Sequence, residues 1–125
     1  MLAENTKILV ADDCNDIYLL LKHTLKNLGY NNIDYAPDGS RALSMLKLIK
    51  YDLLITDWNM PKKDGLELLE EVRKDRALQE LPVLFLTAVA EKDEVLKAIN
   101  RGVNNYILKP FRRGDLEKKI KEILE

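Results

Sequence analysis

Short apolar runs alternate with longer segments of helical spacing along the whole chain. The apolar runs have the length and residue types of strands, and the segments after them repeat apolar residues at the interval of an amphipathic helix. Five strands are predicted, at residues 7–11, 32–36, 52–56, 82–87 and 104–108. Helices are predicted after each strand, at residues 17–28, 41–49 and 66–74, through 95–99, and beyond Gly114.

The helical segments have recognisable ends and apolar faces. Gly29 and Gly102 are placed as helix ends, because glycine is favoured just after the last helical residue. Residues 37–40 have the composition of a turn. The first helix has its apolar face at Ile17, Leu20, Leu21, Thr24 and Leu28.

The alternation of strands and helices predicts a parallel sheet, since parallel neighbours need crossover connections and these are almost always right-handed. The strand cores ILV, LLI and VLFL contain no polar alternation, as expected of strands covered on both faces. The predicted fold class is therefore α/β: a doubly wound, five-stranded parallel sheet with helices on both faces.

Chemically active side chains follow several of the predicted strands. Open α/β sheets bind ligands outside the carboxyl ends of their strands, so these positions are the candidates for function. They are Asp12 and Asp13 after the first strand, Asp57 after the third, Thr87 at the end of the fourth and Lys109 after the fifth.

The three acids would repel one another if the sheet brings them together, by about 1 kcal/mol per pair at 4 Å in water and about 4 kcal/mol at an effective dielectric of 20. A hard divalent cation relieves this repulsion, and Mg²⁺ prefers a few carboxylates while leaving positions for phosphate oxygens. With the Lys109 ammonium and the Thr87 hydroxyl, the set contains the parts of a phosphoryl-transfer site in which a carboxylate attacks phosphorus.

Taken singly, these residues have structural alternatives. Asp12 could cap the helix that follows it, and Asp57 could form a turn. Tyr106 could belong partly to the core whatever the function. His23 is the only histidine and has no partner at ligand spacing, so a surface or packing role is expected rather than a zinc site or a Ser-His-Asp triad.

Four linked motifs resemble the receiver domains of two-component response regulators, over essentially the whole chain. They are VADD at residues 10–13, ITDWNMPKKDG at 55–65, LTA at 86–88 and YILKPF at 106–111. Within the family, Trp58, Asn59 and Tyr106 resemble the stand-alone chemotaxis regulators. The resemblance implies a flavodoxin-like fold with the strand order 2-1-3-4-5.

The resemblance also implies roles for the acidic residues. Asp57 would be the phosphoacceptor. Mg²⁺ would be bound by the carboxylates of Asp13 and Asp57 and by the backbone carbonyl of Asn59, while Asp12 would orient a metal-bound water.

For the remaining site residues the resemblance implies contact with the phosphoryl group and a switch. Thr87 and Lys109 would contact the phosphoryl oxygens. Movement of Thr87 toward the phosphate would be followed by an inward swing of the Tyr106 ring, which alters the surface made by the helix after the fourth strand, the fifth strand and the last helix.

The expected partners are a histidine kinase as phosphodonor and a downstream protein target at that surface. Basic residues lie in these elements, which favours an acidic or amphipathic target peptide; they are Lys97, Arg101, Arg112, Arg113, Lys118 and Lys119. Residues 1–125 are expected to form a single receiver domain without an output domain, and to act as a monomer.

Composition narrows the class of protein. The 125 residues suit one domain, and 46% hydrophobic with 33% charged residues is typical of a soluble globular protein. A net charge of −1 argues against a nucleic-acid partner. A single cysteine, no signal-like leader and no apolar run of about 20 residues predict a cytoplasmic location and no membrane insertion.

Three other functions share parts of this pattern. One is a Mg²⁺-dependent phosphohydrolase with an aspartyl nucleophile, which usually needs a cap or a second general acid. Another is a flavin- or nucleotide-binding module, although the chain lacks the glycine-rich phosphate motifs. The third is a single-domain receiver in a phosphorelay unrelated to chemotaxis. The leading expectation is a switch, not an enzyme, that catalyses only its own phosphorylation and dephosphorylation.

Overall fold

The computed structural model describes residues 5–87, 97, 100, 105–109 and 111–124. The strands within these residues are β1 (Lys7–Ala11), β2 (Asn32–Ala36), β3 (Leu53–Asp57), β4 (Val83–Thr87) and β5 (Asn105–Leu108). The helices are α1 (Asn15–Asn27), α2 (Gly39–Leu48), α3 (Gly65–Lys74) and α4 (Arg113–Leu124). The helix predicted between β4 and β5, with its end at Gly102, lies outside the described residues apart from Lys97 and Asn100, which are helical.

All five strands form one parallel sheet in the order β2-β1-β3-β4-β5. This confirms the predicted fold class and strand order. In the register, Ala11 lies opposite Thr56, Asp57 opposite Leu86, and Thr87 opposite Leu108. The carboxyl ends of β1, β3, β4 and β5 therefore meet at one edge of the sheet.

Two apolar cores cover the two faces of the sheet, because successive side chains of a strand point to opposite faces. Leu9, Leu54 and Phe85 pack on one side with residues of α2 and α3. Val10 and Ile55 pack on the other with residues of α1 and α4. The predicted burial of the sheet between helices is thus confirmed for the described residues.

The helix starts are set by capping side chains. Helix α2 begins at Gly39, two residues earlier than predicted, because the carboxylate of Asp38 accepts the Arg41 N–H at 2.8 Å. Part of the segment predicted as a turn is therefore a helix N-terminus. Helix α3 starts with a capping box, in which Asp64 and Glu67 each accept the other's backbone N–H.

The predicted face of α1 was partly wrong. Leu20 is 50% exposed, whereas Leu21, Thr24 and Leu25 are buried. The glycine after this helix, Gly29, has a φ of 100°, a conformation that glycine adopts without a steric penalty.

Among the described residues, none of the helices combines the length and apolar character that a bilayer crossing requires.

Candidate functional site

Three carboxylates meet at the carboxyl edge of the sheet. Asp12 and Asp13 follow β1, and Asp57 is the last residue of β3. Each offers an oxygen, and these oxygens all lie within 4.8 Å of one another. Asp12 is fully buried, Asp57 is half-buried and Asp13 is exposed, so the cluster opens toward solvent on one side.

Asp12 is held in place from the start of α1. Its Oδ1 accepts the backbone N–H of Cys14 at 2.8 Å. The N-cap residue of α1 is Cys14, so Asp12 is not the helix cap that its position also allowed. Its Oδ1 is bonded at the start of the helix, and its Oδ2 faces Lys109 in the cluster. Burial raises the pKa of Asp12; the Cys14 hydrogen bond opposes this shift, and the charge of Asp57 adds to it.

Lys109 provides the positive charge of the cluster. Its Nζ lies 3.2 Å from Asp57 Oδ1 and 3.4 Å from Asp12 Oδ2, and its side chain is only 19% exposed. Burial alone would lower the pKa of Lys109, but the two carboxylates outweigh it and raise the pKa. The backbone of Lys109 is fixed as well, since its N–H donates to the Thr87 carbonyl at 2.8 Å.

The carboxylate of Asp57 is oriented by two donors on the same oxygen. The Trp58 N–H donates to Oδ1 at 2.8 Å, and Lys109 Nζ donates to that oxygen at 3.2 Å. Within the described part of the chain, these are the hydrogen bonds that the Asp57 side chain makes. Among the described residues, no donor is therefore bound to Asp57 Oδ2.

The loop after β3 is packed tightly beneath Asp57. The Gly65 N–H donates to the Trp58 carbonyl at 2.9 Å, and the Trp58 and Phe85 rings have centroids 4.9 Å apart. A Cβ at Gly65 would overlap the Asp57 carbonyl oxygen and would lie 2.7 Å from Phe85 Cε1. Glycine is required here by this close approach.

The other predicted site residues lie at or near the same edge. Thr87, 4% exposed, ends β4. Asn59 is exposed in the loop after β3. Tyr106 lies further back on β5, in register with Phe85, and is 37% exposed, so it is not part of the acidic cluster.

His23 is exposed and lies outside the cluster. Its Nε2 pairs with Asn27 Nδ2 at 3.2 Å, one turn along α1. This placement agrees with the surface role expected from the sequence.

An aromatic pair beside the acids was missed by the sequence reasoning. The rings of Tyr18 and Tyr35 stack with centroids 4.3 Å apart. Burial raises the pKa of Tyr35, and the nearby charges of Asp12 and Asp13 raise it further. The predicted strand order indicates that Tyr35 lies near Asp12. Strand β2 pairs with β1, and Tyr35 is in register with Val10, two residues before Asp12.

The acidic cluster fits a hard divalent cation. Among the described residues its ligands are carboxylate oxygens, and it is open on the Asp13 side. The ammonium of Lys109 alone does not balance the three carboxylates. Mg²⁺ is bound in proteins by one or two carboxylates together with waters and phosphate oxygens. The donor set at this edge is of that type.

The family model of the response regulator receiver domain matches residues 8–121. The chain belongs to the response regulator receiver domain family. Receiver domains are signalling proteins, not enzymes that turn over an external substrate; they take phosphate from histidine kinases and act on downstream proteins. This agrees with the resemblance inferred from the four motifs.

Two relatives of this receiver domain are chemotaxis proteins. It is 43% identical over 125 residues to the chemotaxis protein CheY-3 of Vibrio cholerae serotype O1, a match that covers 100% of this chain and 96% of that protein. It is 44% identical over 119 residues to the chemotaxis protein CheY of Pseudomonas aeruginosa, covering 95% of this chain and 96% of that protein.

A solved structure links the same fold to a metal ion. The receiver domain of a sensor histidine kinase from Pseudomonas aeruginosa PAO1 has a magnesium ion coordinated in its active-site cleft. This chain resembles it with a TM-score of 0.87 at 26% identity, over 95% of this chain and 97% of that one.

Proposed function

We propose that this receiver domain is a Mg²⁺-dependent phosphoacceptor switch in which Asp57 takes a phosphoryl group from a histidine kinase. The observation that carries the proposal is the position of Lys109, whose Nζ lies 3.2 Å from Asp57 Oδ1 and 3.4 Å from Asp12 Oδ2. A fixed ammonium beside a half-buried carboxylate is suited to stabilise charge that develops on a transferring phosphoryl group.

The transfer begins at Asp57 Oδ2, which accepts no hydrogen bond from the residues that the structure describes. Oδ2 attacks phosphorus while the bond from phosphorus to the donor's imidazole nitrogen breaks. The electron pair of that bond stays on the nitrogen, which takes up a proton from solvent water. Lys109 shifts its hydrogen bonds to the phosphoryl oxygens, and the Thr87 hydroxyl at the same edge donates to another of them.

The acids around Asp57 would hold Mg²⁺ through the carboxylates of Asp13 and Asp57 and the backbone carbonyl of Asn59. Asp12 would accept from a metal-bound water with the oxygen that faces the cluster. When bound, the ion neutralises negative charge on the phosphoryl oxygens. In the absence of the ion, the three carboxylates outnumber the ammonium of Lys109 in the part of the chain that the structure describes.

Phosphorylation is read by a protein target at the surface that contains β5 and α4. Arg112, Arg113 and Lys118 are exposed there, and their charge suits an acidic segment. Full-length identities of 43% and 44% to two chemotaxis proteins support a chemotaxis pathway as the setting. In this scheme Tyr106 couples the phosphorylated edge to the target surface.

The direct test is incubation with acetyl phosphate and MgCl₂, followed by intact-mass and peptide mass spectrometry. The expected result is a gain of one phosphoryl group at Asp57 that needs Mg²⁺ and is lost in Asp57→Asn. Asp16→Asn is the matched control, because Asp16 is an exposed acid in the first turn of α1 and is not part of the cluster. A phosphoryl gain that persists in Asp57→Asn, or no gain at all, would contradict the proposal.

A further inference from the structure

A lysine of α4 reaches the ring of Tyr106 on the neighbouring strand. Tyr106 lies in β5 at the edge of the sheet and is 37% exposed. Lys119 Nζ is 5.8 Å from the centroid of its ring. At such distances the ammonium is attracted to the negative face of an aromatic ring.

Asn105 fixes Lys119 in this position. Its Oδ1 accepts from Lys119 Nζ at 3.1 Å and from the Tyr106 N–H at 2.9 Å, so both acceptor sites of the amide oxygen are used. Its Nδ2 donates to Glu122 Oε2 at 3.2 Å. Lys119 and Glu122 are neighbours on one face of α4. Two side-chain hydrogen bonds therefore link Asn105 to this helix.

Lys119 contacts two different sides of β5. Asn105 and Ile107 alternate with Tyr106 and Leu108 along the strand, and Ile107 is buried in the core shared with α4. The lysine therefore passes around the open edge of the sheet to reach a ring whose residue projects toward the opposite face. A ring that moved inward, away from this edge, would lose the ammonium.

We infer that Lys119 is a positioning residue that holds the ring of Tyr106 outward and so sets the resting state of the switch. The inference rests on the proposed function for the role of Tyr106, but the contacts that carry it involve neither Asp57 nor Mg²⁺. Removing the ammonium while keeping most of the length of the side chain should lower the outward-to-inward ratio of the ring roughly two- to fivefold, the range for an exposed cation–π contact.

The experiment observes the ring directly in the unphosphorylated protein without Mg²⁺. The five tyrosines are labelled with 3-fluorotyrosine, and the ¹⁹F resonance of position 106 is assigned by its loss in Tyr106→Phe. The chemical shift of this resonance is measured in H₂O and in D₂O. The difference, the solvent isotope shift, reports how exposed the ring of Tyr106 is to solvent. Lys119→Met should reduce this isotope shift, and Lys119→Arg, which keeps a cation over the ring, should restore it.

Lys118→Met is the matched control, since Lys118 is an exposed neighbour on α4 without these contacts to β5. It should leave the Tyr106 resonance as in the native protein. The inference is overturned if Lys119→Met leaves the isotope shift unchanged, or if Lys118→Met reduces it equally. Because acetyl phosphate labelling is measured separately, a failure of the proposed phosphorylation would not be mistaken for a failure of this contact.

Asn105→Ala provides a second measurement of the same network. It removes the acceptor that orients Lys119, so the isotope shift of Tyr106 should fall in the same direction as in Lys119→Met. In the double variant the isotope shift should be no lower than in Lys119→Met alone, because both changes disrupt the same contact between Lys119 and Tyr106. Additive effects would contradict the role assigned to Asn105.

Discussion

Lys109 Nζ lies 3.2 Å from Asp57 Oδ1, although the two residues are 52 positions apart in the chain. The parallel sheet makes this contact possible by ending β3 and β5 at the same edge. Within the described ranges, Lys109 is the ammonium that contacts the cluster of Asp12, Asp13 and Asp57, and these three carboxylates outnumber it. That excess has consequences for stability and for metal binding.

Asp13→Lys should stabilise the metal-free protein. Asp13 is the exposed member of the cluster, and its replacement turns repulsion from Asp12 and Asp57 into attraction. The expected gain in the free energy of unfolding is about 0.5–1 kcal/mol, as for other exposed charges, and it should shrink in high salt. Urea unfolding without Mg²⁺ measures it, and the same variant should no longer be phosphorylated.

The control for this change is Asp16→Lys, at the first turn of α1. It removes a negative charge that favours the helix N-terminus, so it should destabilise the protein by about 0.3–1 kcal/mol. Loss of stability in Asp13→Lys as well would show that repulsion within the cluster is not the dominant effect.

Adding Mg²⁺ should raise the melting temperature of the native protein. A ligand bound only by the folded state stabilises it by mass action, by about 1.4 kcal/mol at ten times the dissociation constant. For a chain of this size the corresponding shift is about 5 °C. Differential scanning fluorimetry across a MgCl₂ series should show the shift in Asp16→Asn and a much smaller one in Asp13→Asn. A melting temperature that does not respond to MgCl₂ would argue against the site.

Gly65→Ala and Gly114→Ala should have opposite effects. A Cβ at Gly65 would overlap the Asp57 carbonyl oxygen, whereas nothing lies within 4 Å of one at Gly114. The first change should cost about 2–3 kcal/mol of stability through overpacking. The second, in α4, should add about 0.5–1 kcal/mol, because alanine loses less conformational freedom on helix formation. Chemical denaturation compares them, and equal effects would contradict the close packing under Asp57.

The hydrogen bond between Tyr51 and Asp34 should make stability depend on alkaline pH. Tyr51 Oη donates to Asp34 Oδ2 at 2.6 Å, and the Tyr51 ring is 6% exposed. Burial, followed by this bond, raises the pKa of Tyr51 above its usual value of 10.0. The folded protein keeps a proton that the unfolded chain releases, so the contribution is complete below pH 10 and is lost progressively above it.

Tyr51→Phe should therefore cost about 1.5 kcal/mol at neutral pH, and the difference from the native protein should shrink by about 1.4 kcal/mol per pH unit above pH 10. Urea unfolding between pH 7 and 11 measures both quantities. Tyr106→Phe, at an exposed tyrosine, controls for general effects of alkali. A difference that stays constant up to pH 11 would mean that the bond does not retain the proton.

The strands and the acidic cluster were predictable because each depends on local pattern plus one rule of topology. The bounds of β1 and β2 were predicted correctly from apolar runs alone. The third strand is predicted at residues 52–56, whereas β3 is Leu53–Asp57: the strand begins one residue later than predicted and includes Asp57, which pairs with Leu86. Predicted strand four began one residue early: Pro82 lies before Val83, the first residue of β4.

Contacts between elements were not predictable in the same way. Helical spacing placed Leu20 on the apolar face of α1, yet it is 50% exposed, because the spacing does not specify how far a helix is rotated on the sheet. The Tyr51–Asp34 bond and the contact of Lys119 with Tyr106 depend on side-chain rotamers across neighbouring elements. The pattern of residues along one sequence does not determine these rotamers.

The bond from Lys109 to Asp12 spans 97 positions of sequence. During synthesis the three acids of the cluster, Asp12, Asp13 and Asp57, leave the ribosome before this lysine does. A nascent chain, or a fragment cut before β5, therefore contains the carboxylate of Asp57 without the ammonium of Lys109 that contacts it. Under the proposed function, a chain in which β5 has not yet joined the sheet cannot place Lys109 beside the transferred phosphoryl group, so phosphorylation depends on the completed sheet.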